Sequence, residues 1–208
     1  MYIATQPLYP ELLDRAKNNN AVILDCACCL GQALRQLAFD GAPASNLIGL
    51  DLRPEFIDLG YEFFKDRDGF AAKFVTGDML TPDDDSLRVL DGKVEIIHAA
   101  SFFHLFGWDD QVTVGARMVR FFKEGIEDAT VLGRQVGHPG EPLSPEEHGE
   151  GRYHHNERSM QNLWDVIGWK TGTKWKVSAE VKSHVEEMEG GEKEKRTMIW
   201  FVVRKVIG

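Results

Sequence analysis

Three aspartates, each at the end of a short apolar run, and one loop that is poor in glycine hold the chemistry this sequence could perform. Asp25 closes Val22-Ile23-Leu24, Asp51 closes Leu47-Ile48-Gly49-Leu50, and Asp78 follows Lys73-Phe74-Val75 within Gly77-Asp78-Met79. Ser101 stands in the same relation to a fourth run, Val94 to Ala100. Between Asp25 and Gly31 the chain reads Cys26-Ala27-Cys28-Cys29-Leu30. A turn that hugs a ligand would ordinarily alternate glycines there, because glycine takes positive φ and lets the backbone approach closely. Only Gly31 is glycine; positions 27 and 29 hold alanine and cysteine. Asp51 follows Gly31 by 20 positions, the spacing at which a carboxylate reaches back to accept both hydrogen bonds of a ribose diol. A pyrophosphate would want free amides at a glycine-rich helix start, and an acidic loop would repel it. The set favours an adenosine compound without phosphates. For each aspartate the competing reading is a plain cap or turn, strongest at Asp78.

The elements that must position these residues alternate. Tyr9-Pro10 opens a short helix through Lys17, and the apolar positions Leu30, Leu34, Leu37 and Ala38 recur at helical spacing until Asp40-Gly41-Ala42-Pro43 stops them. Pro54 starts a helix with Phe56, Leu59, Gly60, Phe63 and Phe64 on one face. Asp83-Asp84-Asp85 reads as solvated surface. Trp108, Val112, Ala116, Val119 and Phe122 mark another helix, and Thr130-Val131-Leu132-Gly133 a fifth strand. Strands separated so regularly by helices imply a doubly wound, mostly parallel α/β sheet. The glycine-, proline- and histidine-rich stretch 137–156 is too long for an ordinary connection and reads as a lid. Met160, Leu163, Trp164 and Ile167 give one more helix. Trp175 to Val181 and Met198 to Val203 read as strands joined in a hairpin across Gly190-Gly191.

A chain of 208 residues with 43% hydrophobic content is expected to form one domain, 1–208. Its net charge of −9 argues against a nucleic acid or an anionic membrane as the main partner. A small organic substrate fits better. No run is long enough for a membrane span and the amino end lacks a secretory pattern, so the expected location is the cytosol. Cys26, Cys28 and Cys29 crowd one turn and read as reduced packing residues, with no metal expected.

At this point the residues resemble a family. Val-Ile-Leu-Asp before a small-residue loop, Gly-Leu-Asp at the second strand and Gly-Asp-Met after the third are similar to class I S-adenosylmethionine-dependent methyltransferases. The closest likeness is to fungal enzymes that methylate terpenoid and meroterpenoid intermediates. It is carried by Cys28-Cys29-Leu30-Gly31-Gln32, Leu50-Asp51-Leu52-Arg53-Pro54-Glu55-Phe56-Ile57, the run Ser101 to Gln111, Gly133-Arg134-Gln135-Val136-Gly137 and His155-Asn156-Glu157, and it spans most of residues 8 to 206. The resemblance implies a Rossmann-like seven-stranded sheet ordered 3-2-1-4-5-7-6 with strand seven antiparallel, and S-adenosylmethionine as cofactor. It implies Asp25, Cys28 and Gly31 around the methionine part, Asp51 at the ribose, Asp78 and Met79 at the adenine and Ser101 beside the sulfonium, with Ala27 and Leu52 also among the cofactor-binding residues. Relative to the family, Ala27 replaces a glycine, Ala33 an aspartate, and the amino-terminal cap is shortened.

The expected reaction is O-methylation of a carboxylate or hydroxyl on an apolar small molecule. His104, Arg134 and His155 lie on segments that should face the pocket and supply a clamp or base, and Phe102, Phe103, Trp108 and Tyr153 could form an apolar wall. Each also has a bland reading: surface ion pair, capped strand end, loop or core. Two other functions keep the fold. One is a cofactor-independent isomerisation, elimination or cyclisation; the other is a non-catalytic degenerate subunit. Homo-oligomerisation stays open. Removing Asp51 is expected to cost cofactor affinity and leave the fold intact.

Overall fold

The computed structural model describes residues 3–81, 84–148, 151–187 and 193–207. Its strands are β1 (Ile23–Cys26), β2 (Leu47–Asp51), β3 (Lys73–Thr76), β4 (Ile96–His98), β5 (Thr130–Val136), β6 (Trp175–Glu187) and β7 (Lys193–Lys205). Its helices are α1 (Tyr9–Asn18), α2 (Gln32–Phe39), α3 (Pro54–Phe64), α4 (Trp108–Phe121), α5 (Pro145–His148) and α6 (Glu157–Thr171). The strands form one sheet in the order β3-β2-β1-β4-β5-β7-β6. The first five are parallel and β7 runs antiparallel to both neighbours. This is the doubly wound α/β sheet that the resemblance implied.

Every residue of β1 and β2 is buried, as strands covered on both faces must be. Leu12 and Ala16 of α1 and Leu34 and Leu37 of α2 pack with Ile23, Leu47 and Ile96 on one face. On the other face Val112, Met118 and Phe121 of α4 and Leu163, Trp164 and Ile167 of α6 pack with Leu24, Leu50 and Val131. Because β1 separates β2 from β4, Asp25 lies in register with Gly49 on one side and His98 on the other. The ends of four parallel strands, three of them with aspartates, thus meet where strand order reverses, the usual ligand crevice of such sheets.

Two expectations from periodicity and one about a polar loop need correction. On α3 the buried residues are Ile57 and Gly60, while Phe56, Leu59 and Phe63 stay 41%, 49% and 70% exposed. The helix packs by its narrow side, because Gly60 must fit against the Leu30 carbonyl: a Cβ there would lie 2.4 Å from that oxygen. On α4 the buried set is Gln111, Val112, Val114, Gly115, Arg117, Met118 and Phe121. This helix is held between the sheet and α6, so its buried arc is wider than a single apolar stripe. Asp84 is not simply solvated: it accepts from Ser86 N at 2.9 Å and Asp78 N at 2.8 Å, while Arg117 donates to the Asp84 and Thr81 carbonyls. Asp83 lies outside the described residues.

The closing hairpin is longer than its apolar core predicts, pairing Trp175 with Lys205 through to Glu187 with Lys193. Its connection at Gly190-Gly191 lies outside the described residues. Along the outer edge of β6, side chains of α6 take the place of a neighbouring strand. Gln161 Oε1 accepts from Val177 N at 2.7 Å, Gln161 Nε2 donates to Trp175 O at 3.0 Å, and Glu157 Oε1 accepts from Val181 N at 2.8 Å.

Candidate active site

The loop between β1 and α2 takes positive φ at alternate residues, Ala27 (55°), Cys29 (50°) and Gly31 (68°). This is the path that alternating glycines would give, followed here by two residues with side chains. At Gly31 a Cβ would meet Arg35 Nη1 at 2.8 Å and the Phe74 ring at 2.9 Å, so any side chain there would have to displace one or both. The path is held by hydrogen bonds from three sides. Cys28 N donates to Leu50 O at 3.0 Å, Gly31 N to Cys28 O at 2.8 Å, and Cys29 N to Asp51 Oδ2 at 2.8 Å.

Arg35, which sequence reasoning passed over, secures the loop from beneath. Its Nη1 donates to Leu30 O at 2.7 Å, and Nε and Nη2 form a fork on the Asp66 carboxylate at 2.7 and 2.8 Å. The guanidinium also lies 4.4 Å from the Phe64 ring centroid and 4.8 Å from that of Phe70. Hydrogen bonding to Arg35 holds the Asp66 carboxyl below its ordinary range. The signal was an arginine inside the apolar periodicity of α2, followed far along the chain by the aromatic pair Phe64 and Phe70.

A left-handed alanine costs about 1 kcal/mol against glycine, partly offset by the greater freedom of glycine in the unfolded chain. Ala27→Gly is therefore expected to leave the thermal midpoint unchanged or raise it, with no loss of ligand affinity. A lowered midpoint in differential scanning calorimetry would show that the Ala27 methyl makes a contact worth more than its strain.

Asp51 is 7% exposed, and its carboxylate bridges the loop to the start of α3, accepting Cys29 N on Oδ2 and Arg53 N on Oδ1 at 3.0 Å. A carboxylate offers about four lone-pair sites, so both oxygens can still accept from a diol. Leu52 beside it is 59% exposed and Met79 is 6% exposed. Asp78 turns back on its own turn, accepting from Leu80 N at 2.9 Å and Thr81 Oγ1 at 3.1 Å. Burial pushes the Cys26 and Cys28 thiols far above their ordinary range, with the Asp25 charge adding to it. They remain neutral thiols, as packing residues should.

Asp25 does not stand alone. His98 Nδ1 donates to Asp25 Oδ1 at 2.6 Å, with both side chains buried. His98 was also missed, although a histidine inside the apolar run Glu95-Ile96-Ile97-His98-Ala99 was visible.

Beyond β4, Ser101 is exposed with φ of 52° and donates its N–H to Arg134 O at 2.8 Å. Arg134 lies over the Trp200 ring at 5.3 Å. His104 is half-buried, 6.3 Å from the His154 ring. Burial, with the charges of His154 and Arg152, lowers its pKa, so the ring is neutral at neutral pH. Phe102 is 5% and Phe103 0% exposed, Phe103 packing between Trp164 and Phe201. The expected apolar wall is in this part core.

His155 is placed in the interior. It is fully buried, and its Nε2 meets Gln111 Oε1 at 2.8 Å while Nδ1 meets Ser159 Oγ at 3.0 Å. Gln111 Nε2 donates to the Phe106 and Tyr153 carbonyls at 3.0 and 2.8 Å. The Gln111 oxygen must then accept, so His155 carries its proton on Nε2 and receives the Ser159 hydroxyl on Nδ1. Burial pushes its pKa down to about 3. Ser159 in turn completes the capping box of α6 with Asn156. This neutral, doubly bonded ring is a structural joint and the catalytic expectation for it is withdrawn. Tyr153, 2% exposed, lies edge-on to Trp108 at 5.1 Å and donates its hydroxyl to Leu143 O at 2.7 Å. It ties down a described part of the 137–156 segment, whose ends are joined where His138 N donates to His155 O at 2.7 Å.

Residues 23–125 match a methyltransferase domain family. The chain is 38% identical to the O-methyltransferase phiE of a fungal species (strain ATCC 74256), over 91% of this chain and 64% of that protein. It is 37% identical to the O-methyltransferase atr3 of Stereocaulon alpinum, over 86% of this chain and 52% of that protein. The chain thus spans between about half and two thirds of the length of these relatives. Among solved structures, the 1,6-didemethyltoxoflavin-N1-methyltransferase of Burkholderia thailandensis, with 1,6-didemethyltoxoflavin and S-adenosylhomocysteine bound, shares the fold. Its TM-score is 0.54 at 16% identity, over 90% of this chain and 72% of that one.

Proposed function

Since this chain belongs to the class I methyltransferases and has fungal O-methyltransferases among its relatives, we propose that it binds S-adenosylmethionine and methylates a small-molecule acceptor on oxygen. The observation that carries the reading is the β1–α2 loop. Ala27 and Cys29 adopt the backbone that glycines would provide, and Cys29 N is tied to Asp51, so the cradle exists despite its departures from the motif. That geometry supports the cofactor reading over a pocket rebuilt for cofactor-independent chemistry.

The bound cofactor supplies an already electrophilic methyl group, which leaves alignment and proton handling to the chain. Asp51 would hold the ribose hydroxyls, Leu52 and Met79 the faces of the adenine, Asp25 the amino-acid end, and Ser101 the rim beside the acceptor. His104, kept neutral by burial, can accept a proton from a hydroxyl acceptor. A carboxylate acceptor needs no base, and the cationic side chains of Arg152 and Arg134 on neighbouring segments suit its charge. The flap between Gly137 and Asn156, with Trp108 and Tyr153 at its base, would cover the acceptor. An apolar secondary metabolite bearing one such oxygen fits this surface.

Calorimetric titration tests the reading. Micromolar affinity for S-adenosylmethionine and S-adenosylhomocysteine is expected; no heat at millimolar ligand would overturn it.

A further inference from the structure

Resting on the cofactor reading above, we infer that His98 is a positioning residue for the amino-acid end of the cofactor and acts through Asp25. The parallel register of β1 and β4 sets the two side by side at the crevice where strand order reverses. His98 Nδ1 donates to Asp25 Oδ1 at 2.6 Å, and the two side chains are 4% and 7% exposed. A buried pair of this kind is a poor device for stability, because desolvation offsets the attraction and apolar residues of similar size would pack as well or better. This one carries a further cost. His98 Nε2 is sealed from solvent and has no hydrogen-bond partner among the described residues, an expense that a purely structural side chain would not need.

What the pair does achieve is orientation. With Oδ1 committed to the imidazole, the Asp25 carboxylate cannot rotate. Its other oxygen is not among the sealed, unpartnered atoms, and Asp25 keeps 5% exposure. A fixed carboxylate oxygen at the end of β1, one strand away from Asp51 on β2, recognises an ammonium attached to a nucleoside. Adjacent strands lie about 5 Å apart and rise about 3.3 Å per residue, and Asp51 stands two residues beyond the Gly49 that pairs with Asp25, so the two carboxylates are far enough apart to take the ribose and the α-ammonium of a single ligand.

Two ligands separate this role from a structural one. S-adenosylhomocysteine carries the ammonium; 5′-methylthioadenosine keeps the nucleoside and lacks the amino acid. His98→Leu removes the donor, and His98→Asn restores an N–H close to the position of Nδ1. In calorimetric titration, His98→Leu is expected to weaken S-adenosylhomocysteine binding about tenfold or more, the usual worth of a hydrogen bond to a charged group, and to leave 5′-methylthioadenosine within about twofold. His98→Asn is expected to bind both as the parent does. Equal loss for both ligands in His98→Leu, or no loss for either, overturns the inference while the cofactor reading stands. A parent protein that binds neither ligand overturns the cofactor reading and the inference with it. Should His98→Leu not fold, the parent protein labelled with ¹⁵N in its histidine rings decides the matter, with His98→Asn assigning the signals. S-adenosylhomocysteine should shift the His98 ring resonances and 5′-methylthioadenosine should not; identical spectra with both would overturn the role.

Discussion

Asp51→Ala is expected to weaken S-adenosylhomocysteine binding about 100-fold and to lower the unfolding free energy by about 2 kcal/mol, since hydrogen bonds to a charged group are worth roughly 1.5–3 kcal/mol each. The two losses have separate origins in one carboxylate. Affinity falls because the ribose hydroxyls lose their acceptors. Stability falls because Cys29 N and Arg53 N, at 2.8 and 3.0 Å, lose theirs. The sequence alone predicted lost affinity with an intact fold, and the structure adds a cost in stability, because the same side chain ties the cradle loop to α3. Asp51→Asn, which keeps one oxygen, should fall between the parent and the alanine variant on both scales. Calorimetric titration and urea unfolding read the two quantities independently. Lost affinity at unchanged stability would mean that the loop holds without this bridge, and lost stability at unchanged affinity would remove the ribose from Asp51.

Acidification should act on a different residue. From about pH 7 to about pH 5 the unfolding free energy is expected to fall by about 2 kcal/mol through His155 alone. Its folded pKa is depressed to about 3 by burial, against about 6.5 for an unfolded histidine. Below about pH 6.5 the unfolded chain takes up a proton that the folded chain refuses, so stability is full above that pH and is lost progressively down to about pH 3. His104, also depressed by burial, adds in the same direction. His155→Gln should lower stability at neutral pH and flatten this dependence. Urea midpoints across the range test it, and an unchanged slope in the variant would place the titrating group elsewhere.

The sheet and its order were readable because β1, β2 and β4 are short apolar runs closed by polar residues, and because the loop and strand-end motifs come in a family's order. The aspartates were readable for the same reason. Residues that bridge distant segments were not. Arg35 reaches Asp66 across 31 positions and His98 reaches Asp25 across 73, and no local period marks such a pair. His155 misled in the opposite sense: its place on a loop suggested a ligand-facing ring, whereas Gln111, 44 positions earlier, captures it in the interior. The face of α3 misled as well, since periodicity identifies an apolar stripe and cannot say that a glycine contact will tilt the helix away from it.

The side chains of Gln161 and Glu157 along β6 have a consequence for how the molecule meets copies of itself. β6 is the outermost strand, and a bare strand edge of this length is a template on which other chains can add. Between Trp175 and Val181 that template is occupied in part: the Gln161 amide and the Glu157 carboxylate of α6 meet Trp175 O, Val177 N and Val181 N as a neighbouring strand would. The helix that fills the core with its inner side thus uses two residues of its flank to blunt the outer edge of the sheet.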